Sequence, residues 1–209
     1  MNDEAIKRIF TSIFLLPILF FATVYSGIYL ILLLILVYFL CAYEIIKNTR
    51  NIFFNIFANI WLIFSFYCFY YLRGDTEYSL IILFWILIST FLSDIGGYIF
   101  GKFFKGPKLS KLSPNKTISG ALGSLILSCV TIFFTLYYLT KSFDPLILLI
   151  GCLISISCQV GDLFFSFLKR KSNLKDTSNF LPGHGGLLDR VDGILFGLPV
   201  GFFTLIMIY

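Results

Sequence analysis

Asp162, Ser166 and Lys169 follow one another at steps of four and three residues, the repeat that puts side chains on one face of a helix. At 1.5 Å per residue that face runs about 10 Å, from inside an apolar run to the basic segment Lys169-Arg170-Lys171. Further along come Lys175, a turn that side chains hardly obstruct (Pro182-Gly183-His184-Gly185-Gly186), and then Asp189, Arg190 and Asp192. Glycine permits positive φ and close backbone approach, so Gly185 and Gly186 at a helix start suit the cradling of phosphate oxygens. Asp162 and Asp189 lie on different helices, with Asp192 three residues further on, and their carboxylates can converge on one hard cation such as Mg²⁺. Around them Lys169, Arg170, Lys175 and Arg190 suit a polyphosphate. A metal with a basic clamp is what phosphoryl or nucleotidyl transfer requires.

The elements that must position these groups are membrane helices. Of 209 residues 58% are hydrophobic and 26 are phenylalanine, far more apolar than a soluble chain of this length. Seven stretches are long and apolar enough to read as spans: Ile9 to Tyr25, Ile28 to Ile46, Ile52 to Leu72, Tyr78 to Phe100, Gly120 to Thr140, Pro145 to Leu168 and Gly193 to Tyr209. The expected fold is therefore all-α: a polytopic integral membrane protein of about seven helices. If the N-terminus is cytoplasmic, 14 of the 16 Lys and Arg fall on the cytoplasmic side, and only Arg73 and Lys141 lie outside. The net charge of +5 is then a one-sided basic surface suited to anionic headgroups and nucleotides. The first span imitates a signal peptide but lacks a convincing small-x-small cleavage site, so an uncleaved helix is expected. Five cysteines, all within predicted spans and without CxxC spacing, read as packed free thiols.

One integral domain over residues 1–209 is expected, with 1–72 mainly scaffold and 93–193 the catalytic core. Glu44, Asn55 and Asn59 are the main polar exceptions in the scaffold spans. The stretch from Ser166 to Asp192 stands apart: it holds the only histidine, five of the 16 cations and three of the 11 acids. Lys171 there is expected to be an ordinary solvated charge. Upstream, Asp94 late in the fourth span and Lys116 in a basic loop are expected to form the other wall of a site at the cytoplasmic membrane edge. Asp94 suits a nucleotide, a cation or its own helix neighbours, and Lys116 suits a phosphate.

The residues Ser166, Lys169, Arg170, Lys175, Asp176, Pro182, His184, Gly185, Gly186, Asp189, Arg190 and Asp192 stand in the order and spacing of one pattern. In this the chain resembles the phosphatidate cytidylyltransferases, or CDP-diacylglycerol synthases. Asp94-Ile-Gly-Gly-Tyr98-Ile-Phe-Gly101 and Ser113-Pro114-Asn115-Lys116-Thr117-Ile-Ser119-Gly120 are similar to two further elements of that family, except that Ser119 stands where the family usually carries Glu. The resemblance covers about Ser93 to Gly193.

That resemblance implies transfer of CMP from CTP to phosphatidate, giving CDP-diacylglycerol and pyrophosphate, with Mg²⁺ required and room for a second cation. The implied location is a bacterial-type inner membrane, and the partners are CTP, phosphatidate and membrane lipids but not nucleic acid. Whether two copies form a homodimer stays open. Asp162 and Asp189 are the expected metal ligands. They act with Lys169, Arg170, Lys175 and His184 in catalysis, His184 as a phosphate or nucleotide contact rather than a proton acceptor. Ser166, Lys116, Gly185, Gly186, Arg190, Asp192 and Asp94 are the expected substrate contacts. Rival readings are a CTP-dependent lipid kinase and a transporter of a phosphorylated solute. The transporter suits intramembrane acids, but nothing comparable lines the outer half of the spans. The acid array of CDP-alcohol phosphotransferases is absent.

Overall fold

The structure is a computed structural model that describes residues 3–49, 51–110, 113, 116–141, 145–172, 174, 177, 178, 180 and 185–208, with the backbone alone for 3–10, 12, 139 and 140. Eight helices follow in order: α1 (Asp3–Tyr25), α2 (Gly27–Asn48), α3 (Ile52–Arg73), α4 (Glu77–Phe104), α5 (Ile118–Thr140), α6 (Leu146–Lys171), α7 (Leu188–Val191) and α8 (Ile194–Ile208). An isolated antiparallel bridge pairs Lys108 with Thr117.

Six of these segments are long and apolar enough to cross a membrane, the sixth being Leu188–Ile208, which joins α7 to α8. In α1 the described apolar part is shorter, Ile13–Tyr25. The chain is thus an all-α integral membrane protein, with six full-length spans and one shorter apolar helix against the seven expected. The last span starts earlier than expected because the Asp189 turn, α7, continues almost directly into α8.

Antiparallel succession gives the bundle two ends. The C-terminal ends of α2, α4 and α6 and the N-terminal ends of α3, α5 and α8 share one end, called here the site end. Lys47, Lys102, Lys105, Lys108, Lys116, Lys169, Arg170, Lys171 and Arg190 belong to it, while Arg73 and Lys141 belong to the far end. At the far end Arg73 is buried, and among the described residues no carboxylate pairs with it. Its guanidinium donates to the carbonyls of Thr23 (2.5 Å), Val24 (2.8 Å) and Gly74 (2.9 Å), satisfying orphan acceptors where α1 ends.

Two hydrophobic clusters fill the interior. One, with Leu30, Phe69, Leu83, Ile86, Ile150, Ile154 and Leu198, joins α2, α3, α4, α6 and α8. The other, with Cys41, Ile45, Ala58, Leu62, Phe165, Leu168, Leu188 and Leu195, lies nearer the site end. Cys41, Cys68 and Cys158 are buried and Cys129 and Cys152 half-buried, all with free thiols, as expected. Without a hydrophobic drive between lipid-bathed helices, close approach depends on small residues. At the α4–α5 seam a Cβ on Gly96 would stand 2.5 Å from the Gly123 carbonyl oxygen, and one on Gly120 2.7 Å from that of Gly97. Pro199 in α8 cannot donate to the carbonyl of Leu195, four residues back; the indole Nε1 of Trp61 on α3 donates to it instead, at 3.0 Å.

Candidate active site

The α4–α5 connection is a tight hairpin. Leu109 N donates to Lys116 O (2.8 Å), Ile118 N to Pro107 O (3.0 Å) and Lys116 N to Ser113 O (3.1 Å). Thr117 caps α5 by accepting from Gly120 N, and Ser119 donates to the Lys105 carbonyl. Ser119, the residue in the family's Glu position, thus ties the hairpin shut. The hairpin carries Lys116 over the end of α6, where its ammonium forms an ion pair with Asp162.

Beside that pair is a cleft of about 320 Å³ between α4, α5, α6 and the hairpin. Asp94, Tyr98, Ser113, Lys116, Gln159 and Asp162 are among its lining residues. Gln159 is fixed by its Nε2, which donates to Ala121 O and Ser155 Oγ, both at 3.3 Å. A third acid approaches from the α7–α8 junction. A Cβ on Gly161 would come within 2.6 Å of the Asp192 carbonyl oxygen, so only glycine at 161 admits that junction against α6. A Cβ on Gly193 would meet Asp162 Oδ1 at 3.1 Å and Asp94 Oδ1 at 3.8 Å. Asp94, Asp162 and Asp192 are therefore close enough to repel one another.

A second acid–lysine pair stands two helical turns further along α6. Lys169 Nζ donates to Asp189 Oδ1 at 2.6 Å. The other oxygen of Asp189 accepts from Thr177 N (2.8 Å) and Gly186 N (3.1 Å), and Thr177 Oγ1, whose one proton is shared with Glu44, lies 3.0 Å away. Ser166 sits half-buried on α6 between Asp162 and Lys169. Arg170 is exposed and donates to the Leu174 carbonyl at 3.2 Å, and Arg190 is exposed at the end of α7. Gly185 has φ of +82°, the left-handed region that glycine favours. The Gly186 N–H goes to Asp189, and a Cβ there would run into Thr177 Oγ1 and the Glu44 carboxylate. Lys175, Asp176, Pro182 and His184 lie outside the described residues.

Glu44 was not expected at the site. It is 2% exposed on α2, within the stretch read as scaffold, and accepts from Thr177, Ser178, Leu187 and Leu188. Four residues on, Asn48 donates to the Thr177 carbonyl and its own carbonyl accepts from Ser172. The available signal was an acid inside an apolar span, which marks a polar partner without naming it.

The donors here are carboxylate oxygens, the kind Mg²⁺ takes. Asp162 and Asp189 each face a lysine, and Asp94 and Asp192 bring two further carboxyl groups beside Asp162, so the acids outnumber their ion-paired partners. That excess fits a bound divalent cation. Among the described residues no three His, Cys, Asp or Glu are drawn into one coordination group.

A family model described as "Cytidylyltransferase family" matches residues 47–208. Among curated proteins, the phosphatidate cytidylyltransferase of Bacillus subtilis (strain 168) is 37% identical over 167 residues, covering 77% of this chain and 62% of that protein. That of Staphylococcus haemolyticus (strain JCSC1435) is 35% identical over 181 residues, covering 84% and 68%. That of Helicobacter pylori (strain J99 / ATCC 700824) is 38% identical over 122 residues, covering 58% and 46%. The matched region of the chain thus spans from under half to about two thirds of these relatives' length.

Proposed function

This chain belongs to the cytidylyltransferase family, and from that membership we propose that it is a phosphatidate cytidylyltransferase, transferring CMP from CTP to phosphatidate. The observation that carries the reading is the placing of two acid–lysine pairs, Lys116–Asp162 and Lys169–Asp189, along one end of α6. The site end is proposed to face the cytoplasm of a bacterial inner membrane, with the N-terminus on the same side. The 14 to 2 division of cations supports that orientation. CTP then arrives from water and phosphatidate from the lipid, and both present phosphates at the depth of the lysines.

Asp162 and Asp189 are the proposed holders of Mg²⁺, with Asp94 and Asp192 bringing two further carboxyl groups beside Asp162. Mg²⁺ there would supply neutralisation of phosphate charge. The chain's own residues bind and orient. Lys116 in the cleft exchanges its carboxylate oxygen for phosphate oxygens, Lys169 keeps Asp189 and turns its remaining N–H groups to phosphate, and Arg170 and Arg190 stand at the exposed rim for the outer phosphates. A phosphate oxygen of phosphatidate attacks the α-phosphorus of CTP, the bond to the bridging oxygen breaks, and pyrophosphate departs with that electron pair. Lysine ammonium groups stabilise the charge on the equatorial and leaving oxygens. The nucleophile is already ionised, so no strong base is needed, and His184 is assigned a phosphate or nucleotide contact.

The test is pyrophosphate release by purified protein in detergent or vesicles. Release that needs CTP, phosphatidate and Mg²⁺ together is expected. Release from CTP alone, or none with all three present, contradicts the reading.

A further inference from the structure

The turn that carries Asp189 has a defect in its sequence. Leu187 occupies its N-cap and has no side chain able to accept from the first amides. Those amides are nevertheless satisfied from a distant helix: Leu187 N donates to Glu44 Oε1 at 3.0 Å and Leu188 N to Glu44 Oε2 at 2.9 Å. Each Glu44 oxygen takes a second donor, Ser178 Oγ to Oε1 at 2.6 Å and Thr177 Oγ1 to Oε2 at 2.9 Å. Four donors from two sides of the 178–187 connection thus meet one buried carboxylate. Thr177 Oγ1 is also 3.0 Å from Asp189 Oδ2, so one hydroxyl joins Glu44 to Asp189. Glu44 lies outside the family-matched residues 47–208.

We propose that Glu44 is a positioning residue for the transfer reaction: a cap supplied by α2 that sets, through Thr177 and the Leu187–Leu188 amides, where Asp189 and Lys169 stand toward the substrates. This rests on the function proposed above. Only a carboxylate serves the position. Glutamine at 44 offers one oxygen for four donors and turns its NH₂ group against the others, leaving buried donors unpaired. Gly186 follows from the same arrangement, because Thr177 and Glu44 occupy the space its Cβ would need.

Two measurements on the full chain test this, one independent of activity. In hydrogen exchange, Glu44→Gln should speed exchange of the 185–189 amides at least tenfold while α4, α5 and α6 keep their protection; unchanged exchange there overturns the proposal. In turnover, Glu44→Gln should lower kcat at least tenfold with KM for CTP within threefold. An unchanged kcat, or a loss confined to KM, overturns it. If Glu44→Gln does not assemble, Thr177→Val decides, since it removes only the shared hydroxyl and leaves the Leu187, Leu188 and Ser178 donors to Glu44 in place. A tenfold fall in kcat with Thr177→Val, restored by Thr177→Ser, supports the proposal, and equal kcat for the two overturns it. Should the wild-type chain lack the transfer activity, the function reading fails while the exchange result still judges the cap.

Discussion

The two acid–lysine pairs of α6 have the same chemistry and different surroundings. Lys116 and Asp162 keep 29% and 19% of their side-chain exposure, border the 320 Å³ cleft, and are joined across a hairpin held by backbone hydrogen bonds of its own. Lys169 and Asp189 keep 14% and 8%, and two backbone amides hold the second oxygen of Asp189, with the Thr177 hydroxyl shared between it and Glu44. A pair of the first kind can change partners at small cost, because water already meets part of its charge. One of the second kind cannot lose a member without stranding a desolvated charge. The first is built to receive phosphate, and the second to hold the wall against which phosphate is placed.

The largest effect expected is from Asp162→Asn, which keeps shape and removes charge. Turnover should fall by about 10²–10³-fold, the usual scale for deleting one preorganised electrostatic contact, with thermal stability in detergent nearly unchanged. Next comes the contrast between the pairs. Lys169→Ala should destabilise by about 3 kcal/mol and also lower activity, whereas Lys116→Ala should cost under about 1 kcal/mol and lower activity all the same. Equal stability losses would erase the distinction drawn here. Gly96→Ala presses a methyl onto the Gly123 carbonyl and should cost about 1–3 kcal/mol, read in thermal melts, by spreading the seam from which the Lys116 hairpin springs. The smallest effect belongs to Lys171→Ala. Its exposed ammonium lies 4.4 Å over the Phe54 ring and 5.9 Å over that of Phe167, away from both pairs, and kcat should stay within twofold.

How far the sequence foretold this arrangement depends on the distance over which each signal acts. The face made by Asp162, Ser166 and Lys169 was legible because helical periodicity is local, and hydropathy foretold the spans for the same reason. The pairing of Lys116 with Asp162, 46 residues apart, needed the hairpin and the glycine seam, neither of which spacing reports. Gly186 was legible as part of a Gly-rich turn, but the packing of Thr177 and Glu44 against it was not. Glu44 was visible as an acid in an apolar span, yet its partners lie 133 to 144 residues away. Burial of a carboxylate among amides is a tertiary event that no local pattern encodes. The reading of 1–72 as scaffold overlooked it for that reason.

The central claim is that this end of α6 moves a nucleotidyl group to lipid. The most direct measurement uses CTP labelled at the α-phosphorus, phosphatidate vesicles and Mg²⁺, with lipid and water-soluble products separated after reaction. Label in the lipid fraction, abolished by EDTA and lost in Asp162→Asn, is the predicted result; label that stays water-soluble as CDP while phosphatidate is consumed would contradict it.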